Sequence, residues 1–303
     1  MTAINKEHLQ PYLSLKDYAL TQEDFELYHH KEIDMLVTIP KPSNEELGRF
    51  YEDTDYLPHT DSRKTLFDKL YQYVKKNAIA NKVDLLNSLR TESKTVLDIG
   101  TGTGNFLLAC KKNGWKITGI EPNQNAKKLV QDKFQVILND NSTKLFYDSL
   151  KSLQESNAEN SLKFDVITLW HVLEHVPDVE HYIKQIKSLL KPNGIIVVAV
   201  PNFKSYDAFY YGKFWAAFDV PRHLSHFSKK SIAILFGNEK MKVFKIFPMK
   251  MDSFYVSLLS EKNKTGKMNY FKGFLIGLQS NIKALISDEY SSHIYLIKHQ
   301  KTI

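Results

Sequence analysis

One cysteine, Cys110, stands in a chain of 303 residues. It excludes an internal disulfide and any zinc site built from several thiolates. No apolar run reaches the roughly 18 residues that a membrane span needs. The opening residues MTAINKEHLQ lack a basic start followed by an apolar stretch, so no secretory signal is expected and the cytoplasm is the default compartment. Charge of neither sign dominates: Lys and Arg number 41 against 34 Asp and Glu, a net +7 that a solvated lysine-rich face explains. No basic stripe interleaved with stacking aromatics is present, so no nucleic-acid partner is expected. With 43% apolar and 25% charged residues the composition is that of a globular protein, not of a disordered tail, a collagen or a disulfide scaffold.

Three regions differ in pattern. Residues 1–90 show no β-α alternation; Leu66, Leu70, Tyr73, Val74, Leu85, Leu86 and Leu89 recur at helical spacing. Asp61 or Ser62 can cap that helical stretch. This part is expected to be an N-terminal cap, with residues 91–303 forming the second domain. Residues 94–202 alternate strand and helix. Strands are predicted over 95–99, 116–120, 135–138, 164–169 and 195–200, with helices over 105–112, 125–133 and 179–190. Such alternation implies parallel strands with right-handed crossovers. The expected fold is α/β: a doubly wound, Rossmann-like, seven-stranded, mostly parallel sheet. It carries an N-terminal helical extension, a lid inserted after strand 5 at about 203–227, and an insertion at about 255–290. Residues 228–236 read as a helix and 242–247 and 293–298 as strands. EKNKTGKM (261–268) reads as a loop. A helix over 270–286 (Phe271, Phe274, Leu275, Leu278, Ile282, Leu285) is expected to pack on the core, since Lys272 and Lys283 are few for a membrane-surface helix.

The chemistry gathers after the first strand of this alternation. Asp98-Ile-Gly100-Thr101-Gly102-Thr-Gly104 opens a helix. Its glycines permit a sharp turn and close backbone approach, and the helix start supplies amide donors. Glu121 ends the next strand, where a carboxylate can accept hydrogen bonds from two ribose hydroxyls. The loop is G-x-G-x-G rather than the dinucleotide G-x-G-x-x-G. An acid two residues before the first glycine suits a cationic ligand rather than a pyrophosphate. S-adenosylmethionine (SAM), with its ammonium and sulfonium, fits better than a dinucleotide.

DIGTGTGNF, GIEPN, FDVITLWHVLEHVPD and KPNGIIVVAVPN together resemble the successive motifs of class I SAM-dependent methyltransferases over residues 94–202. The nearest subgroup resembled is that of ubiquinone-biosynthesis O-methyltransferases and bacterial polysaccharide-cluster methyltransferases; residues 215–228 (WAAFDVPRHLSHFS) are similar to a motif of that subgroup. The resemblance implies that Asp98, Gly100, Thr101, Gly102 and Gly104 surround the methionine part of SAM. It places Glu121 at the ribose with Pro122 and Asn123 beside the adenosine, Asn139 or Asp140 at adenine, and Trp170 and His171 at the border of the methyl-donor pocket. S-adenosylhomocysteine is the implied product.

A hydroxyl acceptor must lose its proton as it attacks the methyl carbon, and a histidine can take it. His223 is the first candidate, with His226 and His171 behind it. An alternative reading has Arg222 and Asp219 bracing the lid, with His223 capping a helix or strand. Glu174 and His175 lie near a cation-binding motif of some ubiquinone-type enzymes; two such ligands make a weak site, and a structural or substrate-side role with no metal is preferred. In the N-terminal region, residues 38–42 (TIPKP), Glu45-Glu46-Leu47-Gly48 and Tyr51 keep a pattern that flanks a zinc ribbon in similar proteins. The cysteine pairs are absent, so a degenerate, metal-free ribbon is expected, with Tyr56, His59 and Arg63 above the cofactor. The function expected is methyl transfer to a small-molecule or saccharide hydroxyl by a monomer or homodimer. A non-catalytic SAM-binding scaffold and a dinucleotide-dependent oxidoreductase are the alternatives.

Overall fold

The computed structural model describes residues 8–43, 46, 48–50, 66–138, 146–156 and 162–300. Asn139, Asp140, Tyr56, His59, Arg63, Asp61, Ser62, Glu45, Leu47 and Tyr51 lie outside the described residues. The chain packs as two compact units, Thr54–Leu169 with Gln185–Ile196, and Met1–Asp53 with Trp170–Lys184 and Val197–Ile303. These units cut the chain differently from the expected division at residue 90. The N-terminal strands pair with a strand from beyond residue 220, so they cannot form a separate cap.

The first unit is built on β4 (Thr95–Ile99), β5 (Lys116–Ile120), β6 (Phe146–Tyr147) and β7 (Phe164–Trp170). β4 pairs parallel with β5 and with β7, and β5 pairs parallel with β6. Around them run α1 (Leu66–Ser88), α2 (Asn105–Lys112), α3 (Gln124–Leu138) and α4 (Leu150–Ser156), and α5 (Val179–Ser188) follows β7 in the chain. β7 is buried along nearly its whole length, as an interior parallel strand should be. Its first acid, Asp165, accepts from Thr95 N (2.9 Å), Thr95 Oγ1 (2.7 Å) and Lys191 Nζ (3.0 Å), which fixes the amino end of β4. Burial opposes the Asp165 charge, but these donors hold its carboxyl well below the usual range.

Residues 135–138 were expected as the third strand. They instead finish α3, because Ala126, Val130 and Phe134 bury one helical face at i, i+4 and i+8. The strand is the two-residue β6. With β8 (Leu190–Pro201), β10 (Met241–Pro248) and β11 (Ser292–His299), the sheet has seven strands in the order β10-β11-β8-β7-β4-β5-β6. The doubly wound, mostly parallel α/β architecture is therefore present, with β10 and β11 pairing antiparallel at its edge.

The second unit departs more from expectation. Its N-terminal part is a sheet rather than a helical extension. β1 (Leu9–Lys16), β2 (Asp24–His30), β3 (Met35–Ile39) and β9 (Ser225–His226) form an antiparallel sheet in that order. Leu15, Phe25, Leu27 and Leu36 point from it into a core with Phe50, Phe203, Tyr211, Trp215 and Phe218. The expected lid is thus packed into a core; it contains α6 (Tyr206–Tyr211) and two 3₁₀ turns. Trp215 is almost fully buried, and its Nε1–H donates to Asp207 at 2.7 Å. The expected loop over 261–268 is mostly helix. α7 (Lys229–Asn238), capped by Ser228, is followed by α8 (Asp252–Thr265) and α9 (Tyr270–Ser287).

Candidate functional site

Asp98 occupies the next-to-last position of β4, in register with Gly119 on β5 and Thr168 on β7. Its carboxylate is buried, and the Thr168 hydroxyl donates to Oδ1 at 2.6 Å. Burial pushes the Asp98 carboxyl up to about 7; the Thr168 hydrogen bond only partly opposes this, and the Glu121 charge adds to it. A carboxylate held this way gains strongly from a cationic partner.

Gly100, Gly102 and Gly104 have φ of 72°, 55° and 71°, a left-handed run that side chains would strain. The Gly100 and Thr101 amides both donate to Ile120 O, at 2.8 and 3.0 Å, which fastens the loop to the end of β5. Thr101 Oγ1 donates back to Asp98 O at 3.1 Å. A β-carbon on Gly102 would have no atom within 4 Å, so the loop is open above it, whereas one on Gly104 would meet Val130 at 2.8 Å.

Glu121 follows β5 directly. One carboxylate oxygen accepts the Gly102 amide at 2.7 Å and the other the Asn123 amide at 2.9 Å. Each oxygen keeps a further acceptor position. Pro122 sits between Glu121 and Asn123 in this turn. The donor set fits a nucleoside with a cationic tail: a buried carboxylate whose charge burial disfavours at one strand end, and a carboxylate with spare lone pairs at the next.

The histidines cluster in the other unit. Trp170 ends β7, and His171 follows in the left-handed region with φ of 57°. The His171 amide donates to Ala199 O at 2.9 Å. Its ring stands between two carboxylates: Nδ1 is 3.3 Å from Glu174 Oε1 and Nε2 is 3.3 Å from Asp252 Oδ2. Desolvation works against the imidazolium, but Asp252 and then Glu174 raise its pKa to about 9. That direction favours the imidazolium over a ring poised to accept a proton. Asp252, 81 positions away at the start of α8, had no motif to mark it.

His226 is buried in β9, and its Nε2 lies 3.1 Å from Thr38 Oγ1. Thr38 spends its own hydrogen on the His223 carbonyl at 2.6 Å, so His226 Nε2 donates. Burial, followed by the nearby His223, pushes the His226 ring well below its ordinary value. His223 Nδ1 lies 2.8 Å from Ala217 O and therefore carries the hydrogen. Its Nε2 lies 3.9 Å from Asp219 Oδ2.

From the sequence, Glu174 and His175 are two weak candidate cation ligands. The fold brings His223 to them: one ligand-type atom from each of the three lies within 4.8 Å of the others. His175 Nδ1 donates to Arg222 O at 3.0 Å, and desolvation, then the neighbouring His223, depress its ring to about 4. Arg222 is fully buried and pairs with Asp17 at 2.8 Å and Asp219 at 2.7 Å, and Nη1 also donates to Phe50 O. The alternative in which Arg222 and Asp219 brace this segment matches that geometry.

A family model described as a methyltransferase domain matches residues 59–239. The chain belongs to the methyltransferase domain family. It is a class I SAM-dependent methyltransferase, and SAM is its methyl donor. Among curated relatives, a ubiquinone biosynthesis O-methyltransferase of Actinobacillus pleuropneumoniae is 32% identical over 169 residues, covering 50% of this chain and 70% of the relative. That of Pasteurella multocida is 36% identical over 114 residues, covering 36% and 47%. Among solved structures, magnesium protoporphyrin IX methyltransferase from Synechocystis PCC 6803 with bound SAM aligns at TM-score 0.51 and 13% identity, covering 86% of this chain and 99% of that one. A cyclopropane synthase from Mycobacterium tuberculosis aligns at TM-score 0.52 and 14% identity, with 86% and 99% covered. Both structural likenesses are of fold. The methyltransferase contains no helix long and apolar enough to cross a membrane among the described residues.

Proposed function

We propose that this methyltransferase transfers its methyl group to the hydroxyl of a small molecule, with Asp98 and Glu121 as the two anchors of SAM. The carrying observation is the buried Asp98 carboxyl, its pKa raised to about 7, on the strand beside the one that Glu121 follows. Bound SAM supplies an electrophilic methyl on a sulfonium, which leaves as the thioether of S-adenosylhomocysteine when the acceptor oxygen bonds to the methyl carbon.

Asp98 receives the ammonium, directly or through a water. Gly100, Thr101, Gly102 and Gly104 let the backbone lie against the methionine part. Glu121 accepts the two ribose hydroxyls with Pro122 beside the base, and Trp170 and His171 border the donor. The acceptor's proton goes to His223 Nε2, whose ring is oriented by the Ala217 carbonyl. His171 stays protonated and His226 stays neutral, so neither competes for that proton.

The hydroxyl reading draws support from relatives named as O-methyltransferases. A saccharide is one such acceptor. Radiolabelled methyl transfer from SAM across a panel of phenols, sugars and amines tests the reading. Product from hydroxylated acceptors supports it; product from amines alone sinks it.

A further inference from the structure

The two faces of α9 are reversed relative to an ordinary surface helix. Gly273, Ile276, Gly277, Ser280 and Ala284 are its buried residues. A β-carbon on Gly273 would meet Leu258 Cα at 2.9 Å, and one on Gly277 would meet Phe254 Cα at 2.8 Å. Small residues therefore let α9 lie directly on α8. Large apolar side chains point the other way. Phe271, Phe274, Leu278, Ile282, Leu285 and Ile286 are exposed by 75, 55, 38, 54, 71 and 94%. At about 100° per residue they form one stripe about a third of the circumference wide, centred opposite the buried face. A contiguous apolar stripe of this kind marks an interaction surface, unlike scattered single exposures. The core packing expected for these side chains from the sequence is therefore corrected: the small face packs and the large face does not.

The charge over residues 262–287 is of one sign, and the two acids that follow, Asp288 and Glu289, both pair with Lys229. Residues 262–287 hold Lys262, Lys264, Lys267, Lys272 and Lys283 and no Asp or Glu. The acid just before them, Glu261, is buried with Lys272 Nζ at 3.5 Å. Lys262, Lys264 and Lys267 are exposed, in the last turn of α8 and the turn that leads to α9.

We propose that this face of α9, with the lysines that precede it, docks on the surface of an anionic phospholipid bilayer. The helix lies in the interfacial plane, with its apolar stripe at the acyl boundary and its lysines at the headgroup phosphates. Lysine stems can cover apolar surface while the ammonium stays in the headgroup layer. A second copy of the same face is a poorer occupant, because a two-fold pairing would bring two five-lysine segments together. An anionic lipid surface satisfies the stripe and the charge at once.

Flotation of the full chain with vesicles tests this. One set is phosphatidylcholine alone, the other phosphatidylcholine with an equal share of phosphatidylglycerol. Two variants alter exposed residues outside the cofactor anchors: Phe271→Asp with Ile286→Asp, and Lys262→Glu with Lys264→Glu and Lys267→Glu. Retained S-adenosylhomocysteine affinity and an unchanged circular dichroism spectrum report that each is folded. The parent should float with the anionic vesicles, at least about tenfold more weakly with the neutral ones, and lose binding in high salt. Each variant should bind the anionic vesicles about tenfold or more weakly. Absence of binding by the folded parent, equal binding to both vesicle types, or variants that bind like the parent would overturn the proposal. So would a dimer that dissociates in Phe271→Asp/Ile286→Asp without vesicle binding, which would assign the stripe to a second copy.

Discussion

The Gly102 amide donates to Glu121 Oε2 at 2.7 Å, so the glycine loop after β4 and the acid after β5 are one mechanical object. Glu121→Gln keeps the size but loses the charge that strengthens the bonds to Gly102 and Asn123. We expect S-adenosylhomocysteine affinity to fall about tenfold or more and stability to fall by about 1–2 kcal/mol. Calorimetric titration and urea unfolding measure the two separately. Unchanged affinity with lowered stability would reduce Glu121 to a brace for the loop.

Asp98 gives a pH signature of defined sign. Its carboxyl has a folded pKa of about 7 against an ordinary 3.8. A raised acid favours the fold when protonated, so its favourable contribution is complete below about pH 4 and is lost as pH rises through about 7. Asp98→Asn should therefore be more stable than the parent at pH 8, by roughly 1–3 kcal/mol, and nearly equal at pH 4. Cofactor binding has the opposite slope. A cationic ligand selects the ionised carboxylate, so parent affinity should rise with pH through 7 and binding should release a proton. Titrations in buffers of different ionisation enthalpy would show that release.

His171 is expected to hold its proton far above neutrality because of Asp252 and Glu174. The raised value stabilises the fold fully below about pH 6.5, and this contribution is lost as pH rises through about 9. Asp252→Asn should bring the ring back toward its ordinary pKa. Imidazole proton resonances followed through a pH titration check this directly, and a parent midpoint near 6.5 would refute the carboxylate clamp.

His223→Gln should lower kcat by about a hundredfold or more while SAM affinity stays near the parent's, if its Nε2 takes the acceptor proton. His226→Gln should act mainly on stability, through the lost bond to Thr38. A turnover loss from His226→Gln, with His223→Gln unaffected, would reverse the two roles.

Arg222 is a buried cation with two carboxylate partners, and Asp17 is equally buried. Arg222→Ala leaves Asp17 without its cation in the interior. The expected cost is about 3–5 kcal/mol, measured by urea unfolding. A cost under 1 kcal/mol would show that Asp17 is satisfied by its own turn, where the Thr21 amide and hydroxyl also donate to it.

The parallel core and its cofactor loop were legible because both rest on local signals. Strands β4, β5, β7 and β8 are short apolar runs, and Asp98, the glycines and Glu121 fall at strand ends within one β-α-β stretch. The N-terminal sheet left a short trace in the sequence, since Phe25 and Leu27 alternate with exposed neighbours along β2. Its alternation was too short to outweigh the helical spacing of residues 66–89, and its partner β9 is only two residues long. Asp252 and the meeting of His223 with Glu174 and His175 were not legible at all. Each depends on contacts between segments dozens of residues apart, which no local period records. The α9 stripe was visible as apolar spacing, but spacing alone cannot say which face is buried. Gly273 and Gly277 decide that, through their close approach to α8.

Asp98 and Glu121 are the proposed anchors of SAM. Isothermal titration of S-adenosylhomocysteine into the parent, Asp98→Ala and Glu121→Ala, each first shown folded by thermal melting, tests this most directly. Micromolar binding by the parent that disappears in both folded variants is the predicted result. A folded parent that fails to bind, or folded variants that bind as the parent does, would contradict it and leave the glycine loop a structural turn.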